Sequence, residues 1–199
     1  MPSFPDALTL GDDELELRRL RRADRDVVHR ACQDPEILAW TTLPVPFTKE
    51  AVEALFEEAD ARWRDGSGAE LAIVLDGCLV GATHIVFHAG WRASVAYWLA
   101  PGARGRGIAT RAVRLLTEWA FDTRADLVRI ELWSIVGNEA SDAVARRAGF
   151  SEEGVLRSRL PYRGEYRDVR CFSLLRGDQR AQPRRSPRAP SRARRIEKA

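Results

Sequence analysis

Arg104-Gly105-Arg106-Gly107-Ile108-Ala109-Thr110 gathers residue types that suit one task, holding a phosphate. Its two arginines are charge-assisted donors with planar forks. Its glycines permit backbone conformations that let an anion approach the main chain. Directly afterwards Ile108, Ala112, Leu115, Leu116, Trp119 and Ala120 recur at helical spacing. The loop therefore ends where a helix begins. The first N–H groups of a helix have no intrahelical acceptor and lie at the positive end of its dipole. Ahead of the loop, Ala93-Ser94-Val95-Ala96-Tyr97-Trp98-Leu99 reads as an apolar strand, closed by a Pro101-Gly102 break.

Three kinds of phosphate ligand use such loops, and the residues separate them. A nucleoside-triphosphate loop requires G-x-x-x-x-G-K-[ST], and the chain contains no such run. A dinucleotide fingerprint requires G-x-G-x-x-G, and the match beginning at Gly105 fails at Thr110. The next strand also closes on Ser134-Ile135, with no acid for a ribose. The pattern [RQ]-x-x-G-x-[GA] is met by Arg104, Gly107 and Ala109. Here the chain resembles the GNAT superfamily of acyl-CoA-dependent N-acyltransferases, whose loop of this pattern binds the coenzyme A pyrophosphate. Trp98-Leu99-Ala100-Pro101, Val128-Arg129-Ile130-Glu131-Leu132-Trp133-Ser134, Gly137-Asn138-Glu139-Ala140-Ser141 and Arg146-Arg147-Ala148-Gly149-Phe150 surround it in sequence. That order is similar to the branch holding ribosomal-protein N-terminal acetyltransferases, the RimJ/RimL group. The resemblance covers residues 12–176.

The resemblance implies an α/β (α+β) fold: a GNAT-like mixed central sheet of about seven strands, helices on both faces, splayed between strands 4 and 5. It implies acetyl-CoA as co-substrate, no metal, and direct attack of a neutral amine on the thioester in a ternary complex. Trp98 and Leu99 would meet the pantetheine arm, leaving a backbone N–H to polarise the thioester carbonyl. Arg104, Gly105, Arg106, Gly107, Ile108, Ala109 and Thr110 would hold the pyrophosphate. Asn138 would bond the arm's amide as well as cap a helix. Ser141, on the same helix face, would protonate the departing thiolate.

Many relatives carry a glutamate two residues before a Gly-Tyr-Trp of the fourth strand. Here those positions read Ser94 and Ala96, which removes the expected general base. Glu131 is the next candidate, followed by His84, His88 and Tyr166, with a water relay as the remaining route. The acceptor is expected between residues 40–47 and 160–166. Trp40, Phe47, His84, Tyr162 and Tyr166 would wall it, and Arg163, Glu165 and Arg167 would select charge. A protein N-terminal α-amino group, with a pKa of about 8, needs less base than a lysine at about 10.4. A small amine or aminoglycoside is the competing acceptor. A catalytically silent CoA-binding module and an RNA-binding protein are readings from other classes.

The elements that must position these residues follow from patterning. Leu15 and Leu17 alternate with charge as a first strand. A short helix covers 24–33, and residues 40–47, with two prolines, form a loop. Thr48 caps a second helix to about Asp65, with Val52, Leu55, Phe56, Ala59 and Trp63 on its core face. Asp76-Gly77 turns a hairpin between 71–75 and 78–87. Asn138 caps a helix ending at Gly149, and 152–159 and 167–175 make the last two strands. His84 and His88 suggest a metal pair, but four residues of strand span about 13 Å, too far for one ion.

At 199 residues, 45% hydrophobic and 31% charged, the chain suits one substantial domain. Residues 1–11 read as a loose leader, 12–176 as the domain and 177–199 as a disordered Pro/Arg-rich tail. The net charge of +3 is misleading, since the tail alone carries eight Arg/Lys against Asp178 and Glu197. The body is thus net negative, and nucleic-acid binding is left to the tail, through weak RNA or ribosome contact. Cys32, Cys78 and Cys171, without paired spacing, point to the reducing cytoplasm. Assembly as a monomer or homodimer stays open.

Overall fold

The computed structural model describes residues 4–5, 8–11, 14–88 and 90–181. In chain order these form β1 (Thr9–Gly11), β2 (Leu15–Arg19), α1 (Arg25–Ala31), α2 (Pro35–Trp40), α3 (Lys49–Asp65), β3 (Gly68–Leu75) and β4 (Cys78–His88). They continue with β5 (Arg92–Leu99), α4 (Ile108–Thr123), β6 (Arg129–Ile135), α5 (Glu139–Ala148), β7 (Ser151–Tyr162), β8 (Glu165–Leu175) and α6 (Arg176–Ala181). All eight strands lie in one sheet, ordered β1-β2-β3-β4-β5-β6-β8-β7. Neighbours are antiparallel except β5 and β6, which run parallel because α4 carries the chain back across the sheet between them.

Strand alternation sorts the side chains into two layers. Ala93, Val95 and Leu99 of β5 and Ile130 and Leu132 of β6 join the main core, with Ile108, Ala112 and Leu116 of α4 and Ala145 of α5. The opposite face meets a smaller core built from Val28, Cys32, Ile37, Phe47, Val52 and Phe56, against which Trp98 packs. Helices α1 to α3 supply four of those six residues, with Cys32 just past the end of α1 and Phe47 in the loop before α3. Asp34 and Thr48 start α2 and α3 by accepting the Ile37 and Ala51 N–H groups at 3.0 and 3.3 Å. Asp76 and Gly77 both take positive φ, as the tight β3–β4 turn requires.

Three expectations change. The sheet has eight strands because Thr9–Gly11 pairs with β2, Thr9 opposite Arg18. The described part of residues 1–11 is packed rather than loose: the buried Phe4 ring lies 5.1 Å from both Trp63 and Trp119. Residues 177–181 belong to helix α6, where Asp178 accepts the Leu175 N–H at 3.0 Å. The rest of the basic segment, 182–199, lies outside the described residues. Cys32 and Cys171 are buried thiols, whereas Cys78 is exposed beside the turn.

Candidate active site

The parallel pair of strands opens as it runs. Pairing between β5 and β6 extends from Arg92–Arg129 to Val95–Leu132 and then stops. Beyond that point Ala96 to Leu99 pair with β4 alone, and Trp133 to Ile135 with β8 alone. The Ala100 N–H donates to Val80 of β4 at 2.8 Å. Alternation therefore turns the Trp98 main chain towards β4, and the Tyr97 and Leu99 main chains towards the opening. Trp98 cannot offer backbone bonds there; its side chain packs with the α1–α3 layer instead. Leu99 can.

At the outer end of the opening stands the loop before α4. Gly105 and Gly107 have φ of +73° and +76°, a region costly for other residues, and Gly107 is the N-cap of α4. A side chain at either glycine would project into open space, so the loop presents bare backbone to an outside ligand. The Arg111 N–H is the first of the helix to find a carbonyl, that of Gly107 at 3.1 Å. The N–H groups of Ile108, Ala109 and Thr110 meet no backbone acceptor among the described residues. Their side chains are buried and anchor the helix start. Arg106 is exposed beside them. Arg104 is not available as expected: its Nε donates to the Leu99 carbonyl at 3.1 Å, and its terminal nitrogens bind Asp34 at 2.6 Å and Glu36. It ties α2 to the open edge of β5 rather than pointing at a phosphate.

Across the opening, Asn138 caps α5 by accepting the Ser141 N–H at 3.1 Å. This leaves its side-chain amide N–H₂ for another acceptor. The Tyr97 hydroxyl reaches from β5 to within 3.4 Å of Ser141 Oγ. Burial pushes the Tyr97 phenol up to about 12, so at neutral pH it keeps its proton and acts as donor. Ser141 thus receives one hydrogen bond and retains its own proton to give. Sequence reasoning missed Tyr97, although its place one residue before Trp98 on the opened strand was a usable signal.

On the α1–α3 face, Ser94 lies 2.9 Å from His88 Nε2. Burial, and then Arg92, hold the His88 imidazole below its ordinary range. Glu131 sits beside Ser94 in the ladder, but both its oxygens are engaged, by Arg129 Nε at 2.8 Å and Arg92 at 3.3 Å. Arg129 also binds Glu153 at 2.7 Å. Glu131 is therefore tied into a part-buried ion-pair network, and its placement does not suit a general base. His84, level with Ala96 and directly across from Glu70, has Nδ1 3.5 Å from that carboxyl. Burial lowers the imidazole and raises Glu70, leaving both neutral near pH 7.

The acceptor-wall residues divide. Phe47 is 2% exposed in the smaller core and belongs to packing. Trp40, at the end of α2, reaches the turn at Gly137 beside the opening and stays 38% exposed. Tyr162 is a strut: its hydroxyl donates to the Ala39 carbonyl at 2.9 Å, binding the β7–β8 turn to α2. Tyr166 is 67% exposed. Trp133, absent from the sequence-based set, is the first β6 residue past the opening. The Arg159 guanidinium lies 4.3 Å over its ring. Only the long-range pairing of β6 with β8, and of β8 with β7, could reveal that neighbour.

Residues 14–151 match the family model described as acetyltransferase (GNAT) domain. The Bacillus subtilis protein named "Putative ribosomal N-acetyltransferase YdaF" is 35% identical over 126 residues, 62% of this chain and 68% of its own. The Escherichia coli spermidine N(1)-acetyltransferase is 29% identical over 158 residues, 78% and 82% of the two chains. Among solved structures, Mycobacterium smegmatis RimJ in complex with CoA-disulfide superposes with a TM-score of 0.77 at 28% identity, covering 89% and 90%.

Proposed function

The chain belongs to the GNAT acetyltransferase family, and from that premise we propose that it acetylates the α-amino group of a protein N-terminus in the cytoplasm. It is an acetyl-CoA-dependent N-acetyltransferase. One observation carries the reading of the site: the β5–β6 ladder opens between an unpartnered helix start at one end and the Tyr97–Ser141 hydroxyl pair. That arrangement fits the co-substrate, because the bare amides of 108–110 and exposed Arg106 suit a pyrophosphate and the Leu99 N–H, turned to the opening, suits an acceptor on the bound arm. When bound, acetyl-CoA supplies an activated acyl carbonyl. Leu99 N–H polarises that carbonyl. The neutral amine attacks it, the carbon–sulfur bond breaks, and Ser141 gives its proton to the leaving thiolate, regaining one from solvent as the amine's proton is released there. Ser94 and His88 form a path by which the amine's proton leaves towards a neutral imidazole.

A ribosomal acceptor is supported by the relatives' printed names, and the spermidine acetyltransferase relative keeps a polyamine as the second reading. The test is thiol release from acetyl-CoA with the full chain, over alanine- and serine-led peptides, spermidine and an aminoglycoside. Turnover with peptides and none with the polycations is expected. Binding of acetyl-CoA without thiol release from any amine would reduce the protein to a binding module and sink the proposal.

A further inference from the structure

The side of the opening that an acceptor must enter carries more positive charge than it can neutralise. Trp133 opens onto the α1–α3 face, since Leu132 before it points into the main core and the side chains alternate. Arg159 covers its ring, so a guanidinium stands at the edge of the reaction gap. Further out, Arg163 and Arg167 lie 4.8 and 5.4 Å from the Tyr162 ring that struts the β7–β8 turn against α2. Between residues 155 and 168 there are four arginines against two carboxylates.

The nearby acids are already engaged. Asp168 accepts the Ser158 N–H at 2.7 Å, and Glu165 lies 3.5 Å from Arg167. Asp34 and Glu36, the closest acids of α2, are both bound by Arg104. Glu131 is held by Arg92 and Arg129 deeper in the sheet. Among the described residues, no carboxylate forms an ion pair with Arg157, Arg159 or Arg163. A polyamine or aminoglycoside would bring several ammonium groups against a hairpin whose Arg157, Arg159 and Arg163 have no carboxylate partner. An acidic chain would complete it.

We infer that the acceptor is an acidic N-terminus: a free α-amino group followed within its first few residues by Asp or Glu, whose carboxylate pairs with Arg159 while the amine lies in the gap. The inference rests on the peptide-acceptor reading and narrows it. Arginine suits the role because its fork binds a carboxylate in two-point geometry while its flat face rests on the indole. Opposite charges here also speed encounter and disfavour wrong partners.

The experiment uses the full chain with acetyl-CoA and serine-led hexapeptides that differ only in carrying Asp/Glu, Gln/Asn or Lys at positions two to five, with spermidine and aspartate amide alongside. The acidic peptide is expected to lead the neutral one in kcat/KM by about tenfold and the lysine peptide by about a hundredfold, a margin that shrinks as salt rises. In R159Q the acidic and neutral peptides converge, and in R159E the acidic and lysine peptides exchange rank. Calorimetric titration of the acidic peptide into CoA-loaded protein should show the same loss of affinity in R159E. Because Arg159 is exposed, melting curves of the variants serve as the folding check. Equal kcat/KM across the three peptides overturns the inference while leaving peptide acetylation standing. Acetylation of spermidine with no peptide turned over overturns both. Aspartate amide matching the acidic peptide would also overturn it, since the acceptor would then be a small acid.

Discussion

The two sides of the opened ladder are built by opposite means. The side we assign to the co-substrate is main chain: amides at the start of α4, two glycines at positive φ and the Leu99 N–H. The acceptor side uses side chains, brought from α2, β4, β6 and the β7–β8 hairpin. Backbone recognition tolerates change everywhere except at the residues that give the backbone its shape. Side-chain recognition can be retuned one residue at a time. The first side therefore fits a ligand shared across relatives, and the second can differ between a ribosomal and a polyamine enzyme.

The contrast breaks most sharply at Gly107. A valine there must hold φ near +76° and push its methyl groups into the space before the helix amides. Displacing charge-assisted bonds of about 1.5–3 kcal/mol each should weaken acetyl-CoA binding by at least about a hundredfold in calorimetry. The acceptor side, sharing no contact with Gly107, should keep its ranking of peptides in whatever turnover remains. A valine variant that binds acetyl-CoA normally would remove the backbone account.

A smaller effect lies between the two sides, at the hydroxyl pair. Ser141→Ala should lower kcat by about a hundredfold with the KM for acetyl-CoA little changed, as expected for a lost proton donor. Tyr97→Phe should cost roughly a tenth of that, because Tyr97 orients Ser141 and does not meet the leaving group. A change in KM alone in either variant would assign these hydroxyls to binding.

The smallest effect sharpens the acceptor side. Burial raises the Glu70 carboxyl from an ordinary 4.5 to about 8. Between those values the folded protein keeps a proton that the unfolded chain has released. The stability this contributes is complete below about 4.5 and is lost as pH rises through about 8. His84 acts with the opposite sign, but only below its ordinary 6.5, so the window from 6.5 to 8 isolates Glu70. There the melting temperature of the wild type should fall with pH more steeply than that of Glu70→Gln. Parallel slopes would mean that Glu70 is already ionised beside His84.

Local chemistry was readable because its causes are local. Two glycines before a helical repeat, an Asp-Gly between alternating strands, and Asn138 and Thr48 ahead of apolar periodicity each settle a few residues of backbone without reference to the rest. Their order in the chain carried the family and the central strands. Arg104 shows where such reading stops. Its spacing from Gly107 said phosphate, yet its partners Asp34 and Glu36 lie about seventy residues away and are brought close only by folding.

The same holds for Glu131, whose role depends on Arg92 meeting it across the ladder beside its own strand's Arg129, and for Phe47, drawn inside by α1 and α3. By itself the sequence determined most of the strands and helices and the glycine turn before α4, since torsional preference and periodicity act between near neighbours. The tertiary structure alone decided which charges are spent on each other and which remain to meet a substrate. Pairing across a sheet is set by register between distant segments, and no single stretch of chain records it.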